Sequence, residues 1–331
     1  NEVLSLTIQP IVFFFVLASV IVHGFTIPFF AFGKRAQVNL NRTLSIYPSA
    51  FPNSEPSWVH RIRRFNTNAT AASAEPDQVP SSVVQAMQEG YERHKASGNV
   101  EPEENPDEIF DAVLMTVKYI VRESGIAKED IKFISLSAQM HSLIAMNADN
   151  QRLTENITWA DNRANDYADL IEKSYGGFEL YQRTGTPIHP MSPLSKIFWM
   201  RHEEPEIFKQ TTMFADLKTY VLFQLYERFV IDYSLGSATG MMNLEQLDWD
   251  HKALELLGIE KNQLPQLVPT THILTGMKKR YATLMGIDEQ TPVIVGASDG
   301  VLSNLGVNSY QKGEVAVTIG TSGAIRTVIN Q

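Results

Sequence analysis

Residues 291–307 read TPVIVGASDGVLSNLGV, an apolar run that breaks into a Gly, Ser and Asp turn and then continues with helical spacing. Residues 313–329 follow as GEVAVTIGTSGAIRTVI, two β-branched runs around a glycine turn. The first pattern predicts a buried strand, an acidic turn and a helix, and the second predicts a β-hairpin. Together they indicate an α/β fold whose layout is typical of phosphate-handling proteins.

Two features of this stretch could carry chemistry. Asp299 lies in GASDG, where glycines let a substrate approach and the strand end places a carboxylate at the sheet edge. It could act as a general base or cap the following helix, and the two roles can coexist. Gly320, Thr321 and Ser322 offer backbone N–H groups and hydroxyls for phosphate oxygens. A plain hairpin turn is the simpler interpretation, because the turn is neither a Walker loop nor a GxGxxG fingerprint.

Upstream, the sequence alternates between helix and strand patterns. Asn105 is a good helix cap, Pro106 fits the first helical position, and an apolar stripe runs to Ser124 before Gly125 supplies a stop. KFISLSAQM and LIAM then predict two strands. Residues 193–202, 214–229 and 251–257 have helical periodicity, and 196–199 and 216–220 are interpreted as amphipathic helix surface. Asp232 and Ser234 belong to an acid and hydroxyl cluster of no evident purpose.

A second group of polar and aromatic residues could bind a polyhydroxylated ligand. The indole ring would stack on carbon–hydrogen faces, and the polar groups would bind hydroxyls or a carboxylate. Each member alone also has a structural explanation: a core Met, a satisfied His or a helix cap. The eight histidines show no HExxH spacing, which argues against a dedicated zinc site. The group consists of Gln139, Met140, His141, Trp159, Asp161 and Arg163.

The beginning of the chain differs from the body. Residues 8–32 carry no formal charge over 25 positions, and basic residues follow, which predicts a membrane helix with the body on the cytoplasmic side. The alternative is a buried helix and strand, because Pro10 and Pro28 shorten the continuous helix. Residues 34–88 are turn-rich and polar, as in a flexible tether. The net charge of -9 argues against nucleic acid as a partner, and zero cysteines exclude disulfides and thiolate chemistry.

Two resemblances to known families follow from these motifs. SVIVHGFTIPFFAFGKR resembles the last membrane helix of fungal plasma-membrane sodium/proton antiporters, and the polar stretch after it is similar to the start of their tail. From residue 91 to 331, SAQMHSLIAM, ITWADNRA, RTGTPIHPMSPLSKIFWMR, FADLKTYVLFQL, DYSLGSATGMMNL, IVGASDGVLSNLGV and VAVTIGTSGAI together resemble the FGGY family of carbohydrate kinases. The first two variants are most similar to its gluconate kinases.

The FGGY resemblance implies an actin-like ATPase architecture, two ribonuclease-H-like domains closing over a cleft. The expected domains are a membrane helix (1–33), a tether (34–88), a sugar-binding domain lacking its first strands (89–308) and the start of a truncated ATP-binding domain (309–331). In this resemblance Asp299 is the catalytic base and Gly320, Thr321 and Ser322 contact ATP phosphates. The group from Gln139 to Arg163 would line the sugar site. The implied reaction converts gluconate to 6-phosphogluconate with ATP and Mg²⁺, and a homo-oligomer is compatible with it.

The departures from the family are equally specific. No Asp-x-Gly-Thr motif precedes residue 91, and the sequence stops just inside the second domain, so we expect little or no kinase activity from this chain alone. Three alternatives stay open. They are a xylulose kinase-like enzyme, a membrane-anchored non-catalytic module for sugar binding or interaction, and an antiporter fragment fused to a kinase fragment.

Overall fold

The computed structural model describes residues 103–319 and 323–328, all of which belong to one structural unit. Its helices are α1 (Pro106–Ser124), α2 (Asn165–Ser174), α3 (Gly177–Thr184), α4 (Pro193–Glu203), α5 (Pro205–Gln210), α6 (Leu217–Tyr226), α7 (Tyr233–Ala238), α8 (His251–Leu257), α9 (Lys279–Met285) and α10 (Asp299–Gly306). Short 3-10 turns lie at Lys128–Asp130 and Lys261–Gln263.

The strands are β1 (Glu103–Glu104), β2 (Ile134–Ala138), β3 (Ile144–Met146), β4 (Asn156–Ile157), β5 (Met213–Ala215), β6 (Val230–Asp232), β7 (Met242–Asn243), β8 (Asp248–Trp249), β9 (Gln266–Val268), β10 (Ile273–Leu274), β11 (Val293–Ser298), β12 (Val315–Ile319) and β13 (Gly323–Thr327). The predicted mixed α/β character is therefore confirmed.

The first helix follows its sequence signals closely. The Asn105 side chain accepts hydrogen bonds from the backbone N–H groups of Asp107 (3.0 Å) and Glu108 (3.3 Å), and Gly125 ends the helix in the left-handed conformation. Phe110 and Leu114 of the apolar stripe are buried against β11 and its neighbours. Local capping and periodicity were sufficient to place this helix.

One helix begins later than its periodicity predicts. Residues 214 and 215 belong to β5, which pairs antiparallel with β3, and α6 starts only at Leu217. Asp216 makes the break, because its side chain accepts a hydrogen bond from the Thr219 backbone N–H at 3.0 Å. The helical prediction from residue 214 was wrong at its start, since Phe214 and Ala215 pair with β3, a strand about 70 residues earlier in the sequence.

The strands that position the site are β2 and β11. β11 lies between β10, to which it is antiparallel, and β2, to which it is parallel. The β2–β11 register shifts between Ile294 and Ala297, and Gly296 sits in this irregularity with φ of +73°. A Cβ on Gly296 would lie 1.8 Å from the Leu136 carbonyl oxygen, so only glycine allows the two strands this approach.

Two large apolar clusters surround these strands. One packs α1, α6 and α9 around Val293 and Val295 of β11. The other packs α4, α7 and α8 around residues such as Leu194 and Ile197, while β3, β5 and α6 share a smaller cluster. The sheet edge at the ends of β2 and β11 is therefore supported from both sides.

The predicted membrane helix at 8–32 and the tether at 34–88 lie outside the described residues. Within residues 103–319 and 323–328, no helix combines the length and apolar character needed to cross a bilayer.

Candidate functional site

Two parallel strands bring several predicted site residues to one edge of the sheet. β2 ends at Ala138 and β11 ends at Ser298, and these two residues are register partners. The segment 139–141 and Asp299 therefore leave the sheet side by side. Asp299 is close enough for its charge to act on the His141 imidazole. Met140 Cε lies 3.2 Å from the point that a Cβ on Gly300 would occupy.

Asp299 opens α10 but does not cap it. The cap is Ser298, whose hydroxyl accepts a hydrogen bond from the Val301 backbone N–H at 3.4 Å. Of the two roles left open by the sequence, helix capping thus belongs to the preceding residue. The Asp299 carboxylate lies in the first turn of α10, at the positive end of the helix dipole.

His141 is a neutral acceptor held in an unusual backbone conformation. Its φ is +68°, in the left-handed region that residues with a Cβ seldom adopt. Burial, followed by the positive charge of Lys196, lowers the pKa of His141 to about 4. Its Nδ1 is buried and has no hydrogen-bond partner in the described part of the chain, so the bond to the Ala238 carbonyl uses Nε2. The imidazole therefore offers a lone pair to a ligand hydroxyl.

Lys196 is the residue that sequence reasoning missed. It was interpreted as helix surface, but its side chain is 0% exposed. Its Nζ donates hydrogen bonds to the carbonyl oxygens of His141 (2.7 Å), Thr158 (2.6 Å) and Ile157 (3.3 Å). The apolar residues near it in the sequence, Leu194 and Ile197, could have indicated that Lys196 lies on the buried face of α4. The ammonium joins the segment after β2 to the segment after β4.

The predicted ligand group beyond β4 divides into one exposed ring and an internal ion-pair network. Trp159 is 46% exposed and its indole is accessible to a ligand. Asp161 is fully buried and accepts hydrogen bonds from Arg163 Nε at 3.0 Å, and Arg163 Nη2 lies 2.7 Å from Glu103 Oε1. The Arg163 guanidinium also lies over the Trp199 ring, 5.1 Å from its centroid. These contacts order the loop that presents Trp159.

Gln139 is tied to the adjacent strand in a similar way. Its Nε2 donates to Glu104 Oε2 at 3.0 Å, and Asn156 Nδ2 donates to the same oxygen at 3.0 Å. The paired strands β1 and β4 thereby hold the start of the 139–141 segment.

A cavity of about 640 Å³ lies next to this network but away from the strand ends. Its walls include Arg163, Trp199 and the acidic residues Glu103, Glu155 and Glu204, while neither Asp299 nor His141 lines it. We place the candidate site at the ends of β2 and β11, because a carboxylate and a neutral acceptor meet there.

A buried polar network supports the start of α10 from behind. Lys218 Nζ lies 2.5 Å from Asp232 Oδ2, with side-chain exposures of 3% and 0%. The Ser234 hydroxyl donates to Asp232 Oδ1 and accepts from the Ser298 backbone N–H at 2.8 Å. The acid and hydroxyl cluster left without a purpose by the sequence thus connects a buried ion pair to the residue before Asp299.

The predicted phosphate-binding turn, Gly320, Thr321 and Ser322, lies outside the described residues. The strands that flank it pair antiparallel with Ile319 opposite Gly323, which confirms the predicted hairpin. Arg326 on β13 reaches back to α10, with Nε 3.2 Å from the Cβ position of Gly300. Among the described residues, no group of three or more His, Asp or Glu side chains is arranged to hold a metal ion.

Comparison with known proteins shows the family to which this chain belongs. Residues 77–306 match the N-terminal domain of the FGGY family of carbohydrate kinases. The gluconokinase of Bacillus subtilis is 53% identical over 229 residues, which are 69% of this chain and 44% of that protein. The xylulose kinase of the same organism is 28% identical over 67% of this chain and 44% of its own length.

Solved structures agree with the sequence comparison. The gluconate kinase of Lactobacillus acidophilus superimposes with a TM-score of 0.68 at 38% identity, over 71% of this chain and 47% of that one. A ligand-bound xylulose kinase from the same organism gives 0.67 at 38% identity, over 70% and 47%. The chain spans about half the length of the relatives it matches. It belongs to the FGGY family of carbohydrate kinases and has their actin-like sugar kinase fold.

Proposed function

We propose that this chain binds gluconate and supplies the sugar-binding half of an ATP-dependent kinase site that forms 6-phosphogluconate. The observation that carries the proposal is the meeting of Asp299 with a neutral, buried His141 at adjoining strand ends. The gluconokinase of Bacillus subtilis, at 53% identity, supports gluconate over the sugars named for more distant relatives.

Each residue has a defined role in this proposal. Asp299 takes the proton from the sugar hydroxyl that becomes phosphorylated. His141 Nδ1 accepts a hydrogen bond from a second hydroxyl, and the exposed Trp159 ring packs on the carbon chain. Met140 closes the site beside Gly300. Asp161, Arg163 and Gln139 hold these residues in place through their contacts with Glu103 and Glu104.

The phosphoryl donor would be bound by residues other than those of the sugar site described above. ATP is the phosphoryl donor in the proposed reaction, and bound Mg²⁺ would neutralise its phosphate charges. We propose phosphate contacts for Gly320, Thr321 and Ser322 by family resemblance. The roles given above to Asp299, His141 and Trp159 concern the sugar and do not depend on where the ion is bound.

Calorimetry on the full chain tests the sugar-binding half. We expect gluconate to bind more tightly than xylulose or glycerol, and His141→Ala to weaken gluconate binding at least tenfold. A Phe178→Ala variant is the matched control, because Phe178 is an exposed aromatic residue outside the site. Absence of binding to all three ligands would refute the proposal.

A coupled assay for ADP release tests catalysis separately. Turnover with gluconate that disappears in Asp299→Asn, while gluconate binding persists, would support the role of Asp299 as the base. Turnover that survives in Asp299→Asn would refute that role. Gluconate binding without turnover would restrict the chain's function to sugar binding, the non-catalytic alternative.

A further inference from the structure

We propose that Lys196 is a positioning residue that holds His141 in its ligand-binding conformation. The inference rests on the proposed function and deepens it. Lys196 does not contact a ligand itself, since its side chain is 0% exposed and three carbonyl oxygens already use its three ammonium N–H groups. Any effect on sugar binding must therefore pass through the groups that its ammonium contacts.

The three carbonyl oxygens that Lys196 contacts are not equivalent. The Ile157 oxygen also accepts from the Leu143 N–H at 3.0 Å, and the Thr158 oxygen accepts from the Asp161 N–H at 3.2 Å. Within the described part of the chain, the His141 oxygen has Lys196 Nζ as its hydrogen-bond donor, at 2.7 Å. Loss of the ammonium would thus affect the His141 peptide group most strongly.

The conformation of His141 makes this bond important for the site. A residue with a Cβ is disfavoured at φ of +68° and keeps that angle only where its surroundings impose it. Rotation of this residue to negative φ would swing the imidazole away from Asp299. The bond from Lys196 to the His141 carbonyl opposes that rotation, while the bond to Thr158 fixes the residue before Trp159. One cation therefore sets the spacing of two proposed sugar contacts.

The charges around Lys196 predict a pH signature. Burial lowers its pKa to about 7, Asp161 raises it and Arg163 lowers it further, and His141 on the neighbouring segment is neutral. A neutral amine has two N–H groups for three carbonyl oxygens. We therefore expect gluconate affinity to fall as the pH rises from about 6 to about 9. His141, already neutral across this range, contributes no change of its own.

The test measures gluconate affinity by calorimetry for Lys196→Met and Lys196→Gln in the full chain. We expect both variants to bind at least tenfold more weakly and to lose the pH dependence. Lys196→Gln retains a hydrogen-bond donor, so it still tests the inference if Lys196→Met does not fold. Circular dichroism checks the fold of each variant. Lys209→Met is the control, because Lys209 on α5 is 68% exposed and pairs only with Glu206 among the described residues.

A double-mutant cycle with His141→Ala separates positioning from general structural support. If Lys196 acts mainly through His141, the loss of affinity in the combined variant should be clearly smaller than the sum of the two single losses, with the remainder passing through Thr158 and Trp159. Additive losses, or unchanged affinity in both Lys196 variants, would overturn the inference.

Failure of the proposed function is distinguishable from failure of this inference. If the unmodified chain binds no sugar, the proposed function fails, and crystal structures of the unmodified chain and Lys196→Met still decide the role of the lysine. His141 should then leave the left-handed region in the variant. Retention of φ near +68° would overturn the positioning role.

Discussion

The buried ion pair between Lys218 and Asp232 makes a strong prediction about stability. Replacing Lys218 by Met leaves the Asp232 carboxylate without its cation in a place where it is 0% exposed. Breaking a buried pair in this way costs about 3–5 kcal/mol. Asp232 Oδ1 keeps hydrogen bonds from the backbone N–H groups of Ser234 (3.0 Å) and Leu235 (3.3 Å), which places the loss near the lower end, at about 3 kcal/mol.

Thermal unfolding followed by circular dichroism measures this loss. For a unit of this size, about 3 kcal/mol corresponds to a fall in Tm of about 6–12 °C. The double variant Lys218→Met/Asp232→Asn should be more stable than Lys218→Met alone, because it removes the uncompensated charge and keeps an acceptor for the cap of α7. Lys209→Met, at an exposed pair, should change stability by less than about 0.5 kcal/mol. A Lys218→Met loss below about 1 kcal/mol, or a double variant that is no more stable, would refute the reasoning.

Two further predictions concern stability. Gly296→Ala should cost more than about 4 kcal/mol or prevent folding, because its Cβ would meet the Leu136 carbonyl oxygen at 1.8 Å. Gly276→Ala, with a similar φ of +75° and nothing within 4 Å, should cost about 1 kcal/mol; equal unfolding midpoints would contradict this difference. The folded-state pKa of Lys196, about 7, lies below its unfolded value of 10.5, so the unfolded chain binds more protons between these values. This group's contribution to stability should therefore rise as the pH increases from about 7 to about 10. The difference in unfolding free energy between the unmodified chain and Lys196→Met should change in the same direction, and a flat difference would show that Lys196 does not titrate in this range.

Much of the fold was predictable because its signals are local. The cap at Asn105, the stop at Gly125 and the strand and turn before Asp299 each depend on a few neighbouring residues. The start of α6 was misplaced because the pairing of β5 with β3 depends on residues about 70 positions away. Periodicity contains no information about such a partner.

The sequence predicted which residues belong to the candidate site better than it predicted how they are arranged in space. Chemistry and spacing singled out His141, Trp159 and Asp299, yet the parallel register that joins Ala138 to Ser298 is a tertiary feature. Burial also reversed the interpretation of Lys196, because a lysine within a helical pattern is usually exposed. The membrane helix at 8–32 and the phosphate-binding turn at 320–322 stay predictions, since they lie outside the described residues.

The parallel pairing of β2 with β11 also has a consequence for the order of folding. The paired residues Ile134 and Val293 are about 160 positions apart, and contacts of that separation form slowly because a long loop must close first. The backbone hydrogen bonds within helices such as α1 and α4 join residues only a few positions apart, so these helices can form much earlier. During refolding, the helical signal should therefore recover before the sheet edge exists. During synthesis, Asp299 must leave the ribosome before the proposed sugar site can form.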